Sequence, residues 1–204
     1  MGLLLLRLVL GSTLAAHGAQ KLFGWFGGGG LSNTGAHFEK YLGFRPGRVH
    51  AFAAGATEFA GGLGIALGFL TPFAAMAVIG VMFVAAMSAH VGKGFFITKG
   101  GYEYTLVLAA SAAALAFTGP GRLSVDHALG WNLSGPVWGV VSVAFGCIAG
   151  ACMMAGRHRL QEAEAGDTSP DHAAAGPQAR PAEVAGGRDA GLTAKSEHAQ
   201  RPGR

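Results

Sequence analysis

The sequence predicts an all-α integral membrane protein: a four-helix transmembrane core, a fifth transmembrane helix and a disordered carboxy-terminal tail. Half of the 204 residues are hydrophobic and only 13% are charged, which is unusual for a soluble domain. The apolar residues form five stretches that reach or approach the roughly 20 residues needed to cross a bilayer. The end of the chain has almost no large apolar residues, so it cannot bury enough surface to fold.

The five stretches span about residues 2–22, 49–70, 72–91, 104–118 and 136–156. The first could be a cleaved signal peptide, but no basic region precedes it, so a retained helix is preferred. Because Pro72 restricts Thr71 and cannot continue a hydrogen-bonded ladder, stretches two and three should form an antiparallel hairpin. The predicted domains are a core over 1–130, an additional helix over 131–156 and a tail over 157–204.

Basic residues in the connections predict the orientation. They cluster after stretch one (Lys21, Lys40, Arg45, Arg48), after stretch three (Lys93, Lys99) and after stretch five (Arg157, Arg159), whereas the other connections contain only Arg122. Since such residues favour the cytoplasmic side, we expect the N-terminus outside and the tail in the cytoplasm. The Ala, Gly and Arg bias suggests a bacterial gene and a plasma-membrane location.

The expected partner is therefore the lipid bilayer, and no nucleic-acid partner is expected, because membrane-facing loops account for the basic charge. A homo-oligomer stays open.

Ionisable side chains at membrane depth are costly unless paired or hydrated, so each is a candidate for function. In the predicted topology one group converges on the cytoplasmic half, as candidates for a ligand or quinone site or a proton relay: His17, Lys21, Glu58, His90, Lys93 and Glu103. Arg7 enters from the outer side and could form a structural ion pair with Glu58. For Glu58, a functional role and a purely structural ion pair are equally favoured by the sequence. The sequence does not determine whether its carboxyl group is protonated.

A metal site is an alternative use of the same groups, with His17, Glu58, His90 and Glu103 as ligands. It is disfavoured because no paired Glu-x-x-His spacing supports it. A proton relay or a quinone headgroup pocket needs looser geometry and is preferred.

The connection HVGKGFFITKGGYEYTLVL, residues 90–108, contains lysines, aromatic residues and glycines between two apolar stretches. Its lysines help to fix orientation, its aromatic rings suit the headgroup region, and its glycines allow a turn. Another aromatic and basic run, residues 37–48, is interpreted as an interfacial anchor. Membrane anchoring does not explain why His90 and Glu103 are present in the connection of residues 90–108.

No motif of a self-sufficient enzyme is found in the sequence. There is no nucleotide loop, no flavin or nicotinamide fingerprint and no nucleophile motif. Cys147 and Cys152 lie on one predicted helix, too far apart to form a disulfide. The protein is therefore expected not to catalyse alone, and to be at most a membrane subunit of an oxidoreductase.

Several segments resemble the DoxX family of small bacterial membrane proteins: LRLVLGSTLAAHGAQKLFGWFGGGGL, EFAGGLGIALGFLTP, HVGKGFFITKGGYEYTLVL and TGPGRLSVD. The resemblance runs from about residue 3 to residue 129; stretch five and the tail lie outside it. It implies a four-helix membrane core and suggests a role in quinone-linked sulfur or oxidative-stress metabolism. The motif residues carried over are His17, Lys21, Glu58, Gly61, Gly62, His90, Gly94, Phe95, Phe96, Gly101, Glu103, Gly119, Pro120 and Gly121.

Three functions follow as hypotheses. The first is a membrane subunit or anchor of a quinone-linked redox complex, with quinone as the expected cofactor and a soluble redox partner on the cytoplasmic side. The second is a small-solute or proton-coupled transporter that uses Glu58, although no inverted repeat is visible. The third is a purely structural membrane anchor without a ligand.

Overall fold

The computed structural model describes residues 1–167, and all regular structure in this part is helical. The α-helices are α1 Gly2–Phe23, α2 Gly30–Leu42, α3 Gly47–Leu67, α4 Thr71–Ala85, α5 Glu103–Thr118, α6 Val125–Ala128 and α7 Pro136–Asp167. A π-helical segment, Ala86–His90, continues α4 directly. The predicted all-α class is confirmed for these residues.

Three of the described helices are long and apolar enough to cross a membrane: Gly2–Phe23, Thr71–Lys93 and Pro136–Glu162. Together they confirm the predicted membrane class. α3 has 21 residues, but His50, Glu58 and its glycines make it less apolar. α5 is apolar and has only 16 residues. Five crossings and the orientation therefore stay predictions.

The core lies where α1, α3, α4 and α5 meet, with α7 packed against α4 and α5. Its largest buried side chains include Leu14, Ile65, Val78 and Leu115. Lipid is as apolar as these side chains, so close packing between small residues must contribute much of the helix association.

Glycines allow the close approach of α1 and α3. A Cβ atom added to Gly62 would lie 2.5 Å from Ala15 N and 2.6 Å from Gly11 O, which is too close for any other residue without backbone movement. Gly146 allows α7 to approach α4 closely, because a Cβ atom added to it would lie 2.8 Å from Met76 O on α4. Gly68 acts differently: with a φ of +64° it ends α3.

Two segments differ from the predicted boundaries. The connection after α1 forms the helix α2, which packs on α3, whereas the sequence predicted only an interfacial run. α7 continues past Gly156 to Asp167, through residues such as Leu160, Gln161 and Glu162 that favour helix. The rest of the predicted tail, 168–204, lies outside the described residues.

Candidate functional site

A buried ion pair joins α1 to the middle of α3. Lys21 Nζ donates a hydrogen bond to Glu58 Oε2, and Glu58 is only 3% exposed. A buried carboxylate is costly without a counter-charge, and Lys21 supplies one. The predicted Arg7–Glu58 pair is therefore wrong, because Arg7 bonds instead to Leu123 O, near the far end of α1.

A cavity of about 460 Å³ opens beside this ion pair. Its walls come from α2, α3 and the end of α4 with its π-helical segment, and Lys21 of α1 completes them. The polar side chains in its lining are Lys21, Asn33, Thr34, His37, Glu58, Ser88 and His90. The structure thus brings three of the predicted site residues, Lys21, Glu58 and His90, to one cavity. We call it the polar cavity.

A second cavity, of about 440 Å³, adjoins the polar cavity and is lined by α3, α4 and α7. We call it the apolar cavity because most of its wall is hydrophobic, for example Met76 and Phe145. The two cavities share lining residues: Phe38, Phe44, Ala54, Val81 and Val84. A polar compartment and an apolar one therefore lie side by side and share part of their walls.

His90 ends the π-helical segment and lines the polar cavity. Its Nδ1 donates a hydrogen bond to Gly100 O at 2.7 Å. A neutral imidazole that donates from Nδ1 keeps Nε2 as an acceptor. Short π-helical insertions are rare and frequently occur at functional sites, because they turn side chains away from the regular α-helical register. Ser88 and His90 are both placed by this segment.

His17 and Tyr104 form a second polar pair near the same end of the bundle. The Tyr104 hydroxyl lies 3.1 Å from His17 Nε2, and His17 Nδ1 lies 3.2 Å from Gln20 Oε1. Tyr104 is also close enough to Glu58 to interact with it electrostatically. His17 does not line the polar cavity, and its partner Tyr104 lies within electrostatic range of Glu58.

Sequence reasoning placed Tyr104 only at headgroup depth and missed this connection. Since 87 residues separate it from His17, no local pattern could have revealed the contact.

Lys93 and Glu103 lie outside the lining of the polar cavity. Lys93 is exposed. Glu103 Oε2 accepts a hydrogen bond from Ile97 N at 2.9 Å, and Glu103 N donates to Phe95 O at 2.9 Å. Glu103 therefore holds the connection between α4 and α5 in shape. Phe96 is 60% exposed on that connection, which suits contact with a membrane surface.

The structure does not bring the residues of the metal alternative together as one ligand set. Among the side chains that the structure describes, no three from His, Cys, Asp or Glu lie close enough to hold a metal ion. The four residues considered for it have other partners: His17 bonds to Tyr104, Glu58 to Lys21, His90 to Gly100 and Glu103 to Ile97.

A buried acid at the opposite end was not predicted as important. Asp126 is 1% exposed and accepts hydrogen bonds from Leu70 N at 2.7 Å, Thr71 N at 3.0 Å and Thr71 Oγ1 at 2.7 Å. It satisfies backbone donors where α4 begins. Arg7, also 1% exposed, lies within electrostatic range of Asp126. The sequence signal was the quoted segment TGPGRLSVD, which ends on this residue.

In a comparison with known families, residues 2–91 match the family model DoxX. The matched region includes Lys21, Glu58 and His90, the residues that meet at the polar cavity. No curated protein and no solved structure matches the chain.

Proposed function

We propose that this chain, whose residues 2–91 match the DoxX family of membrane proteins, is a membrane subunit that binds a quinone for a redox partner. One observation carries the proposal: the Lys21–Glu58 ion pair and His90 line a polar cavity that adjoins an apolar one. Ligand sites of this size typically combine mostly apolar walls with a few polar groups that fix orientation.

The two cavities match the two parts of a quinone. Its ring carries two carbonyl oxygens, which require donors, and Lys21 supplies an ammonium group in the polar cavity. Its isoprenoid tail requires an apolar slot, which α3, α4 and α7 provide. A bound quinone would supply two-electron chemistry coupled to the uptake of two protons, with the electrons coming from the partner.

Protons would reach the polar cavity through the chain's own side chains. The Tyr104 hydroxyl lies 3.1 Å from His17 Nε2 and within electrostatic range of Glu58. Imidazole, phenol and carboxyl groups can each donate and accept a proton. Lys21 and Glu58 hold opposite charges at the cavity wall, and His90 offers Nε2 as an acceptor.

The redox partner is proposed to be a soluble protein on the cytoplasmic side of a bacterial plasma membrane. The supporting feature is the exposed connection between α4 and α5, which carries Lys93 and Lys99 beside His90. Lysines in short connections favour the cytoplasmic face.

Removal of the ion pair is expected to weaken quinone binding. Purified protein in lipid nanodiscs would be titrated with a ubiquinone or menaquinone analogue that has two isoprene units. The double variant Lys21→Met/Glu58→Gln should bind at least about tenfold more weakly, because the headgroup loses a charged donor, and such bonds contribute about 1.5–3 kcal/mol. His90→Ala should weaken binding of the reduced quinol, because a quinol hydroxyl group can donate to His90 Nε2.

The control removes the same two charges elsewhere, through Lys99→Met/Glu162→Gln at exposed positions, and should bind like the wild type. A second experiment tests where the isoprenoid tail of the quinone binds. Wild-type affinity should increase with isoprenoid length, and Ala54→Phe should abolish that gain, because Ala54 lines both cavities. A wild-type protein that binds no quinone would contradict the proposal.

Proton-coupled transport is the second candidate function, favoured by the link between the Glu58 carboxylate in the cavity wall and Tyr104 and His17. Absence of quinone binding, together with solute uptake driven by a pH gradient in proteoliposomes, would favour it. If both activities are absent and Glu58→Gln leaves all partner interactions intact, the chain is a structural anchor.

A further inference from the structure

We infer that a third cavity, beside the last turns of α7, binds the phosphate headgroup of an anionic phospholipid. The cavity has a volume of about 420 Å³ and its wall includes Arg45, Arg157, Arg159 and His50. None of its described lining residues is acidic. A concave site whose described lining contains Arg157 and Arg159 and no carboxylate is suited to a phosphate group, because the guanidinium fork matches phosphate oxygens. We call it the basic cavity.

Arg157 is held in place while part of its hydrogen-bonding capacity remains unused. Its guanidinium carbon lies 5.4 Å from the ring centre of Phe44, which is itself buried. Stacking on an aromatic ring orients the planar group. Its Nε atom is buried and finds no acceptor among the described residues. Arg157 also lines the basic cavity, where its guanidinium group can bind a phosphate oxygen.

The position of the basic cavity favours a lipid over a soluble phosphate. Arg157 and Arg159 lie near the end of Pro136–Glu162, one of the helices long and apolar enough to span a membrane. Cys152 lines the cavity, and Ile148 lies one helical turn before it, with 57% of its surface exposed. The same face of α7 therefore runs from arginines to an exposed apolar surface that acyl chains could cover.

The positive charge of the basic cavity favours an anionic lipid headgroup over a zwitterionic one. Basic pockets at the ends of membrane helices attract anionic lipids, and each arginine near such a surface adds to the attraction. A zwitterionic headgroup brings a choline or amine that the arginines would repel. The basic cavity shares Phe44, His50 and Met153 with the apolar cavity, but Arg157 and Arg159 line neither the polar nor the apolar cavity. Substitution of these two arginines therefore tests this inference without removing a residue of the proposed quinone site.

The test uses the full chain, delipidated in a nonionic detergent, and titrations with phosphatidylglycerol, phosphatidylcholine or sodium phosphate followed by native mass spectrometry. The wild type should bind phosphatidylglycerol at least about tenfold more tightly than phosphatidylcholine. Arg157→Gln/Arg159→Gln should abolish that preference and leave the affinity for quinone analogues unchanged. The control Lys99→Gln/Arg122→Gln removes two exposed charges and should keep the preference.

Two results would overturn the inference. One is equal binding of the two lipids by the wild type, or a preference that survives in the double variant. The other is displacement of phosphatidylglycerol by an equal concentration of sodium phosphate, which would identify a soluble phosphate as the ligand. If the double variant does not fold, Arg159→Gln alone serves, because this side chain is exposed, and it should lower the preference measurably.

Discussion

Lys21→Met alone is expected to destabilise the folded protein by about 3–5 kcal/mol, because it leaves the Glu58 carboxylate buried without its counter-charge. Glu58→Gln alone should cost less, since the Lys21 side chain is 24% exposed and can extend its ammonium group to water. The double variant Lys21→Met/Glu58→Gln should recover most of the stability that Lys21→Met loses. The free energy of unfolding would be measured by denaturant titration in detergent micelles.

Lys99→Met is the matched control, because it removes a lysine that is exposed and should change stability by less than about 0.5 kcal/mol. The coupling energy between Lys21 and Glu58, obtained from the double-mutant cycle, decides whether the two side chains stabilise each other. If the losses of unfolding free energy in the two single variants simply add up in the double variant, Lys21 and Glu58 do not stabilise each other. That result would contradict the ion pair as the central feature of the site.

Asp126→Ala is expected to be the other large effect, with a loss of about 3 kcal/mol or more. It removes the acceptor for three donors, Leu70 N, Thr71 N and Thr71 Oγ1, of which two are backbone groups at the start of α4. It also removes the nearby negative charge from Arg7, whose Nε and Nη1 atoms are buried without an acceptor among the described residues. Denaturant titration measures this loss as well.

Thr71→Val provides the graded comparison, because it removes only the hydroxyl donor and should cost about 1 kcal/mol. Arg7→Met should be partly tolerated in the Asp126→Asn background, where the buried negative charge is also absent. An Asp126→Ala variant no less stable than Thr71→Val would show that this acid does not organise the start of α4.

Much of the fold was predictable from the sequence, because long apolar stretches have few alternatives in a membrane. The hairpin between α3 and α4 followed from Pro72, and the observed break spans only the residues between Leu67 and Thr71. The helix α2 was not predicted, because its overall hydrophobicity is low and glycines precede it. Its apolar residues nevertheless share one face, and the structure packs this helix on α3.

The candidate site was predictable only as a set of residues. Depth along a helix indicated that Lys21, Glu58 and His90 could lie in the same half of the bundle, and the cavity that they line agrees. The rotation of each helix about its axis decided the partners. It turned Glu58 toward Lys21 and not toward Arg7, and it brought Tyr104 of α5 to His17 of α1.

The sequence by itself determined that this chain is helical, membrane-associated and similar to the DoxX family over residues 2–91, because hydrophobicity, glycine and proline positions and motif order are properties of the linear chain. The tertiary structure alone decided that Lys21 neutralises Glu58, that Asp126 holds the start of α4 and that polar and apolar cavities adjoin. The physical reason is that a buried charge must find its partner in space, and helix packing sets which side chain is within reach.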